Sequence, residues 1–395
     1  MSNPNHAASE QGAGARLITP FHVVAGIIVA IGLYITYRRF TGGLGAVTHL
    51  DNNNPWGLWI GFDLLCGVAL AAGGYVTAAA VYLFGSRKYH GAVRPAVLTA
   101  FLGYSLVVLA LLYDVGRPWR LHYPFAVQPG TSSVLFEVGL CVMVYLFVLF
   151  LEFTPIPLEW LGMRKIRNVM VKLTIGLTII GVVLSTMHQS SLGALYLLVP
   201  YKLHPLWYSS YLPIFFFISS IVAGLSMVIF ESTLSHRAFA GQLGERAHEE
   251  HDELVLGFGK AASLVLFGYF GIKWIGVSAG NHWNLLLTPY GLWFLLEMLG
   301  FVLLPCFLYA FGYRERDVRV IQAAAVISIL GVVLNRFNVS LVAFNWHLPL
   351  SQRYFPSWME ILLSVFVVTV GLIAFRFIVS RMPVLREHPD FQETH

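Results

Sequence analysis

Charge is what this sequence has least of. Lys, Arg, Asp and Glu make up 11% of its 395 residues, against roughly 25% in a soluble domain, and the mean hydropathy is +0.70. Too few charges exist to cover a water-facing surface, which excludes a soluble globular protein. The surplus of +5 therefore bears on membrane topology and not on nucleic acid. Cysteine is scarce too. Cys66, Cys141 and Cys306 each stand alone in an apolar run, which excludes a CxxC metal motif and a Cys-ligated Fe–S cluster and leaves packed thiols. Of 14 histidines, only His22 and His188 touch apolar runs, both near an end. A b-haem between two spans needs an inward-facing histidine from each, so haem is also excluded. The chain is expected to carry no redox cofactor of its own. No cleaved secretory signal opens it, because residues 1–16 are polar with one cation, Arg16.

What the chain has in abundance is apolar runs of helix length. A spanning helix needs roughly 20 such residues, and ten runs qualify: 18–37, 56–84, 95–113, 132–153, 168–187, 209–234, 258–278, 286–312, 318–338 and 357–380. The expectation is an all-α integral membrane protein with a polar N-terminal tail (1–16), a transmembrane domain (17–380) and a C-terminal tail (381–395). Ten crossings put both termini on one side, here side A. That side carries Arg16, Arg87, Lys88, Arg94, Arg164, Lys165, Arg167, Arg237, Arg246, Arg314, Arg316, Arg319, Arg381 and Arg386. Side B carries Arg38, Arg39, Arg117, Arg120, Lys202 and Arg353. The positive-inside rule makes side A cytoplasmic and side B periplasmic, in a bacterial inner membrane.

The loops differ in kind. Side A has one plainly soluble stretch, 236–257, whose His248, Glu249, Glu250, His251, Asp252 and Glu253 lack fixed ligand spacing and read as a solvated charged loop. Side B loops are rich in Trp, Tyr, Pro and His, as in DVGRPWRLHYPF (114–125), YKLHPLWYSSY (201–211) and FNWHLPLSQRYFPSW (344–358). Interfacial aromatic belts explain part of this. The one-sidedness suggests a docking face and the mouth of a site.

Several runs bury an ionisable group: Asp63, Glu137, His188, Glu231, Lys260, Lys273, Glu297 and Arg336. Such a group in hydrocarbon is costly unless paired or wet, which makes it a functional-site hypothesis. With a rise of 1.5 Å per residue, Asp63 lies roughly 10 Å in from Trp56 at side B, on one helical face with Trp56 and Trp59. Tyr104 lies roughly 15 Å deeper than Asp114. Glu137 is under two turns inside its run and His188 ends its own. Asp63, Tyr104, Asp114, Arg117, Glu137 and His188 are thus expected to converge on the side B half, as a pocket open to a lipid-soluble ligand. A quinone suits it: its carbonyls need donors and its reduction consumes two protons. Asp114 with Arg117 also reads as a plain interfacial ion pair, and His188 as an interfacial histidine. Glu152 reads as solvated at side A. Glu231, near side A, is placed as an acidic proton entry with Lys260 as its counter-charge, or as a snorkelling interfacial group. Glu297 belongs to a second pathway or pairs with Lys273 or Arg336.

At PWGLWIGFDLLCGVALAAGGY (55–75), FLGYSL (101–106), DVGRPW (114–119), SVLFE (133–137), STMHQSSLG (185–193), KLHPLW (202–207), IFE (229–231) and SLVAFN (340–345) the chain resembles HybB-type membrane subunits of hydrogenase-2-like NiFe hydrogenases, within the broader NrfD/polysulfide-reductase membrane-anchor family. The resemblance runs from about residue 20 to 380, leaving out the first sixteen residues and 236–257. It implies two four-helix bundles, runs two to five and six to nine, with the first and tenth peripheral. It implies a haem-free anchor reactive with menaquinone or ubiquinone, fed by a periplasmic ferredoxin-like Fe–S subunit and the NiFe hydrogenase large and small subunits. Tyr104, Glu137, His188 and Glu231 match positions considered in the family for quinone chemistry and proton transfer. An anchor for a polysulfide or molybdopterin enzyme is the nearer alternative. A proton-coupled transporter, which also buries carboxylates, is the more distant one.

Overall fold

A computed structural model describes residues 20–239 and 245–384. Arg16, Arg386 and the two polar tails lie outside the described residues, apart from 381–384. Among the described residues, ten helices are long and apolar enough to cross a membrane. They are span 1 (Pro20–Gly42), span 2 (Trp59–Leu83), span 3 (Tyr89–Asp114), span 4 (Val134–Trp160), span 5 (Arg164–Leu198), span 6 (Leu212–Arg237), span 7 (His251–Ala279), span 8 (Pro289–Arg314), span 9 (Val318–Val342) and span 10 (Trp358–Arg381). Among the described residues there is no strand, only an isolated antiparallel bridge between Leu203 and Phe344 that joins two side B loops. Helix throughout is what hydrocarbon demands, since each backbone N–H and C=O must then be satisfied within its own segment.

Spans 2 to 5 pack in sequence, span 5 returning to span 2, and spans 6 to 9 repeat the arrangement with span 9 returning to span 6. Span 1 lies on span 10, which lies on spans 2 and 3. This is the expected pair of four-helix bundles with peripheral first and last helices. The bundles meet where span 2 crosses span 6, and the crossing is made by small residues. A Cβ on Gly224 would lie 2.9–3.0 Å from the backbone of Ala72 and Gly73. Backbones that close replace the missing hydrophobic drive between helices in lipid.

Two features break the regularity. Trp59–Cys66, Ala79–Leu83, Glu297–Leu303 and Asn338–Val342 are π-helical, and two of these turns carry Asp63 and Glu297. Such bulges re-aim side chains and recur at functional sites. At side A, Glu159 takes Arg94 at 2.7 Å and Arg167 at 3.0 Å with its carboxylate fully buried.

One expectation about loops is corrected. The helix of span 6 continues to Phe239 and the next begins at Glu245, so the stretch 236–257 is mostly two helical extensions rather than a soluble loop. Its polarity is that of helix ends standing clear of the membrane, and Glu253 on one of them pairs with Arg316. The side chains of His248 and Glu250 lie outside the described residues.

Candidate functional site

The first bundle places Tyr104 of span 3, Tyr145 of span 4 and His188 of span 5 around one point. The Tyr104 ring stands 4.6 Å from Tyr145, edge to face, and 5.9 Å from His188. All three are essentially inaccessible. Ser185, one turn before His188, and Gln189, the residue after it, complete the group, and the Gln189 amide donates to Val68 O at 3.1 Å. The Tyr104 and Tyr145 hydroxyls, Ser185 Oγ, both His188 ring nitrogens and Gln189 Oε1 make no hydrogen bond of good geometry; the polar neighbours of the Tyr104 hydroxyl are Ser185 and Gln189, and that of Tyr145 is Ser185, all within the group itself. An unsatisfied buried polar group costs about 1–3 kcal/mol. Six such atoms in one place are a reserve of donors and acceptors suited to a guest with polar ends.

The route from this cluster to the lipid is short. Ser191, one turn beyond His188, donates to Glu137 Oε1 at 2.6 Å, and Glu137 is exposed on the membrane-facing flank of span 4. Tyr104, His188 and Glu137 therefore stand together as expected.

Asp63, Trp59 and Asp114 do not join them. Asp63 accepts from Ser364 of span 10 at 2.7 Å, and Trp59 Nε1 donates to Glu360 O at 3.1 Å. Asp114 has Arg39 of span 1 as its cationic neighbour, and Arg39 also donates to Tyr113 O and Val115 O at 2.6 and 2.8 Å. Trp59 and Asp63 do share a helical face, but that face turns to the peripheral spans. Arg117 is exposed. The expected six-residue convergence is thus two separate clusters, because helical spacing fixes which residues share a face and not which neighbour the face meets.

Two carboxylates lie on the side A approach. Glu231 accepts from Thr99 of span 3 at 2.9 Å, roughly 7.5 Å along that helix from Tyr104 by the helical rise. Lys260 is not its counter-charge, for its ammonium lies over the Tyr313 ring at 5.1 Å. Glu152, read from sequence as solvated, accepts instead from Thr178 at 3.1 Å between spans 4 and 5. The signal for it was present: Glu152 follows Tyr145 by seven residues, two turns along one face.

The second bundle is built differently. Glu297 is 1% exposed and accepts from Trp207 Nε1 at 2.8 Å, Asn335 Nδ2 at 2.7 Å and Asn338 Nδ2 at 2.5 Å. Asn335 in turn accepts from Arg336 at 2.8 Å. Above them His204 stacks on Tyr290 at 4.6 Å and meets Trp346 edge-on at 4.9 Å. Burial, with His282 adding to it, pushes the His204 imidazole down to about 4, so it packs there as a neutral ring. Part of the side B aromatic wealth therefore caps the second bundle. Trp119, Tyr201 and Phe355 remain exposed.

The chain matches the family model described as polysulphide reductase, NrfD, over residues 46–345. It belongs to the NrfD family. A protein of Nitratidesulfovibrio vulgaris is 64% identical over 96% of this chain and 98% of its own length. The probable Ni/Fe-hydrogenase 2 b-type cytochrome subunit of Escherichia coli is 34% identical over 95% of each chain. The integral membrane subunit of a menaquinone reductase from Nitratidesulfovibrio vulgaris is 27% identical over 91% of this chain and 90% of its own length. This NrfD-family chain is accordingly a membrane subunit of an oxidoreductase.

The b-type cytochrome in one relative's name prompts a test of whether the residues here fit a haem. His188 is buried ten residues in from the side B end of span 5, whereas His22 is exposed near the side A end of span 1, so these two cannot share one iron.

Proposed function

We propose that this chain is the quinone-reactive membrane subunit of a NiFe hydrogenase complex, receiving electrons at side B from an Fe–S partner subunit and passing them to menaquinone or ubiquinone in the first bundle. The observation that carries the reading is the cluster of Tyr104, Tyr145 and His188 with Gln189 Oε1, whose polar atoms make no hydrogen bond of good geometry, beside an exposed carboxylate, Glu137. A quinone ring is apolar enough to enter between spans 4 and 5, and its carbonyls would take hydrogen bonds from the Tyr104 hydroxyl and the His188 ring. Glu137 and Ser191 are placed to pass a proton toward His188, which supports general-acid delivery to a reduced carbonyl oxygen. Side A is taken as cytoplasmic, so protons from that side would enter by Glu231. Asp63 and Asp114 drop out of the pocket and face the peripheral spans, and Arg117, exposed, joins neither group. Hydrogenase partnership rests on the identity to the Escherichia coli subunit, which covers nearly all of both chains. The alternative, an anchor for another oxidoreductase of the family, keeps the same site and changes only what docks on side B.

The test uses the complex purified through a tag on this chain. Glu137→Gln and His188→Ala are each expected to lower hydrogen-to-quinone turnover by roughly 10²–10⁴-fold, the ordinary contribution of a positioned proton donor. Assembly and dye-linked hydrogen oxidation should be unchanged. Wild-type quinone rates in both variants would show the pocket to be elsewhere. Co-purification of a molybdenum-containing partner in place of a NiFe enzyme would favour the alternative.

A further inference from the structure

The second bundle holds three charged side chains that the quinone reading leaves without a task. Lys273 of span 7, Glu297 of span 8 and Arg336 of span 9 are each at most 4% exposed. Two cations and one anion sum to +1, so the group is not a neutral ionic lock. An unbalanced charge at this depth is expensive unless it has a use.

The three members differ in how they are held. Both Glu297 oxygens accept hydrogen bonds, Oε1 from Asn335 and Oε2 from Trp207 and Asn338, which hold the carboxylate in place. Arg336 donates to Ser219 Oγ at 2.8 Å and Phe216 O at 3.2 Å. Its guanidinium sits 3.9 Å from the centre of the Phe216 ring, and a guanidinium keeps its charge in proteins. Lys273 is held by ring contacts alone. Its Nζ faces the rings of Phe215 and Phe294 at 5.1 and 5.3 Å, and among the described residues nothing hydrogen-bonds or ion-pairs with it. Of the three, it is the group free to release a proton.

A way for that proton exists on the side A flank. A cavity of about 20 Å³, lined by Ser219, Tyr269, Glu297, Ser328 and Asn335 among others, has room for about one water. Tyr269 is one turn from Lys273 on the same helix. Arg336 Nε is buried without a partner, as a group beside a hydrated cavity would be, and Ser328 has the Tyr309 hydroxyl as its polar neighbour. From there Ser219, Ser226 and Thr233 follow at seven-residue steps along one face of span 6, each step roughly 10 Å. Ser226 hydrogen-bonds Tyr309 at 2.9 Å. Thr233 lines a cleft of about 410 Å³ at side A together with His236, Arg237 and His251.

We propose that Lys273 is a proton-loading group, exchanging a proton with side A along this polar seam while Glu297 and Arg336 stay as fixed charges around it. Only an N–H bond is broken or made: the ammonium gives its proton to water and becomes an amine, and the reverse step reloads it. The charges facing Lys273 are Glu297 and Arg336 from the packed spans, with Tyr269 on its own helix. Span 6 offers only Phe215 and Ser219. The quinone reading enters only as the reaction that would drive the cycle.

The test places the tagged complex in proteoliposomes with an internal pH dye, valinomycin and potassium. Reduced benzyl viologen is the donor and a short-chain naphthoquinone the acceptor. Wild type is expected to move protons between compartments beyond those consumed by the quinone. Lys273→Met and Lys273→Arg should both lower that transport about tenfold or more, since neither side chain releases a proton. Quinone reduction in detergent should stay within about twofold, the first bundle being a separate site. Full transport in Lys273→Arg would mean that only a fixed charge is needed, and would overturn the proposal. So would quinone reduction by wild type with no transport. A wild type that reduces no quinone would instead refute the function proposed above. Labelling then decides this inference, using Ser328→Cys in a chain with Cys66, Cys141 and Cys306 replaced by serine. Modification by 2-aminoethyl methanethiosulfonate from the side bearing the termini supports the seam, and protection from that side overturns it.

Discussion

Replacing Tyr104 by phenylalanine separates a structural from a chemical role, because the two predict opposite signs. The ring is fully buried and packed edge to face on Tyr145 at 4.6 Å, and Phe keeps all of that packing. The hydroxyl alone is removed, and it makes no hydrogen bond of good geometry in the protein, its polar neighbours being Ser185 and Gln189. A tyrosine kept for stability would lose a hydrogen bond of about 0.5–1.5 kcal/mol on such a change. Here only poorly aligned contacts with Ser185 and Gln189 are lost, and the desolvation of an under-satisfied hydroxyl, about 1–3 kcal/mol, is relieved. Tyr104→Phe should therefore melt in detergent at the wild-type temperature or above it. If the hydroxyl donates to a quinone carbonyl, turnover falls at the same time by roughly 10²-fold or more. The assay pairs a thermal melt of the purified complex with quinone reduction and dye-linked turnover on the same sample. A lower melting temperature with quinone and dye rates falling together would make Tyr104 a packing residue. Unchanged turnover would remove it from the chemistry.

Three further outcomes are expected. The isolated subunit should show no stoichiometric reduced-haem absorbance band, and such a band would reveal ligands beyond His22 and His188. Gly224→Ala should cut the yield of folded protein, at a cost of about 1–3 kcal/mol, because its Cβ would press on backbone atoms of Ala72 and Gly73 that cannot rotate away; Gly26→Ala, with nothing within 4 Å of its Cβ, is the control that should be silent. Glu231→Gln should slow quinone turnover, and dissipating the membrane potential in sealed vesicles should shift the hydrogen-to-quinone equilibrium, since a charge crossing 100 mV involves about 2.3 kcal/mol; indifference to both would place proton entry at side B.

The bundles were readable from the sequence because their signal is long and repetitive. Ten apolar runs survive an error of a few residues at either end, and hydrocarbon allows them no fold but helix. Tyr104 and His188 were both readable as side B residues of the first bundle, in its second and fourth runs, but their common depth was not, because the helix of span 5 continues to Leu198 past the end of its apolar run at 187. Nor were the partners of Asp63 and Glu231. The direction a face points depends on helix rotation, and the π turn at Trp59–Cys66 changes that rotation by an amount no spacing rule supplies. Lys260 misled for a related reason: being close in depth to Glu231 says nothing of azimuth. Glu152 was set aside because a carboxylate near a span end is usually solvated, and only its two-turn register with Tyr145 told otherwise.

The two bundles share an architecture and differ in how their polar groups are spent, which bears on where a quinone can react. In the second bundle the carboxylate of Glu297 is bound by three donors and Arg336 by three acceptors, so an entering carbonyl would have to displace bonds already made. Its side B end is closed by His204, Trp207, Tyr290 and Trp346. In the first bundle the donors of Tyr104, Tyr145 and His188 are unspent, and a guest gains their hydrogen bonds without breaking others. The flank beside them opens at Glu137 to the lipid in which a quinone dissolves. A site that must bind and release its guest at every turnover is better served by unspent donors near lipid than by a sealed ionic network. A site that must hold a proton away from the quinone is better served by the reverse. On that reasoning the chemistry belongs to the first bundle and any stored proton to the second.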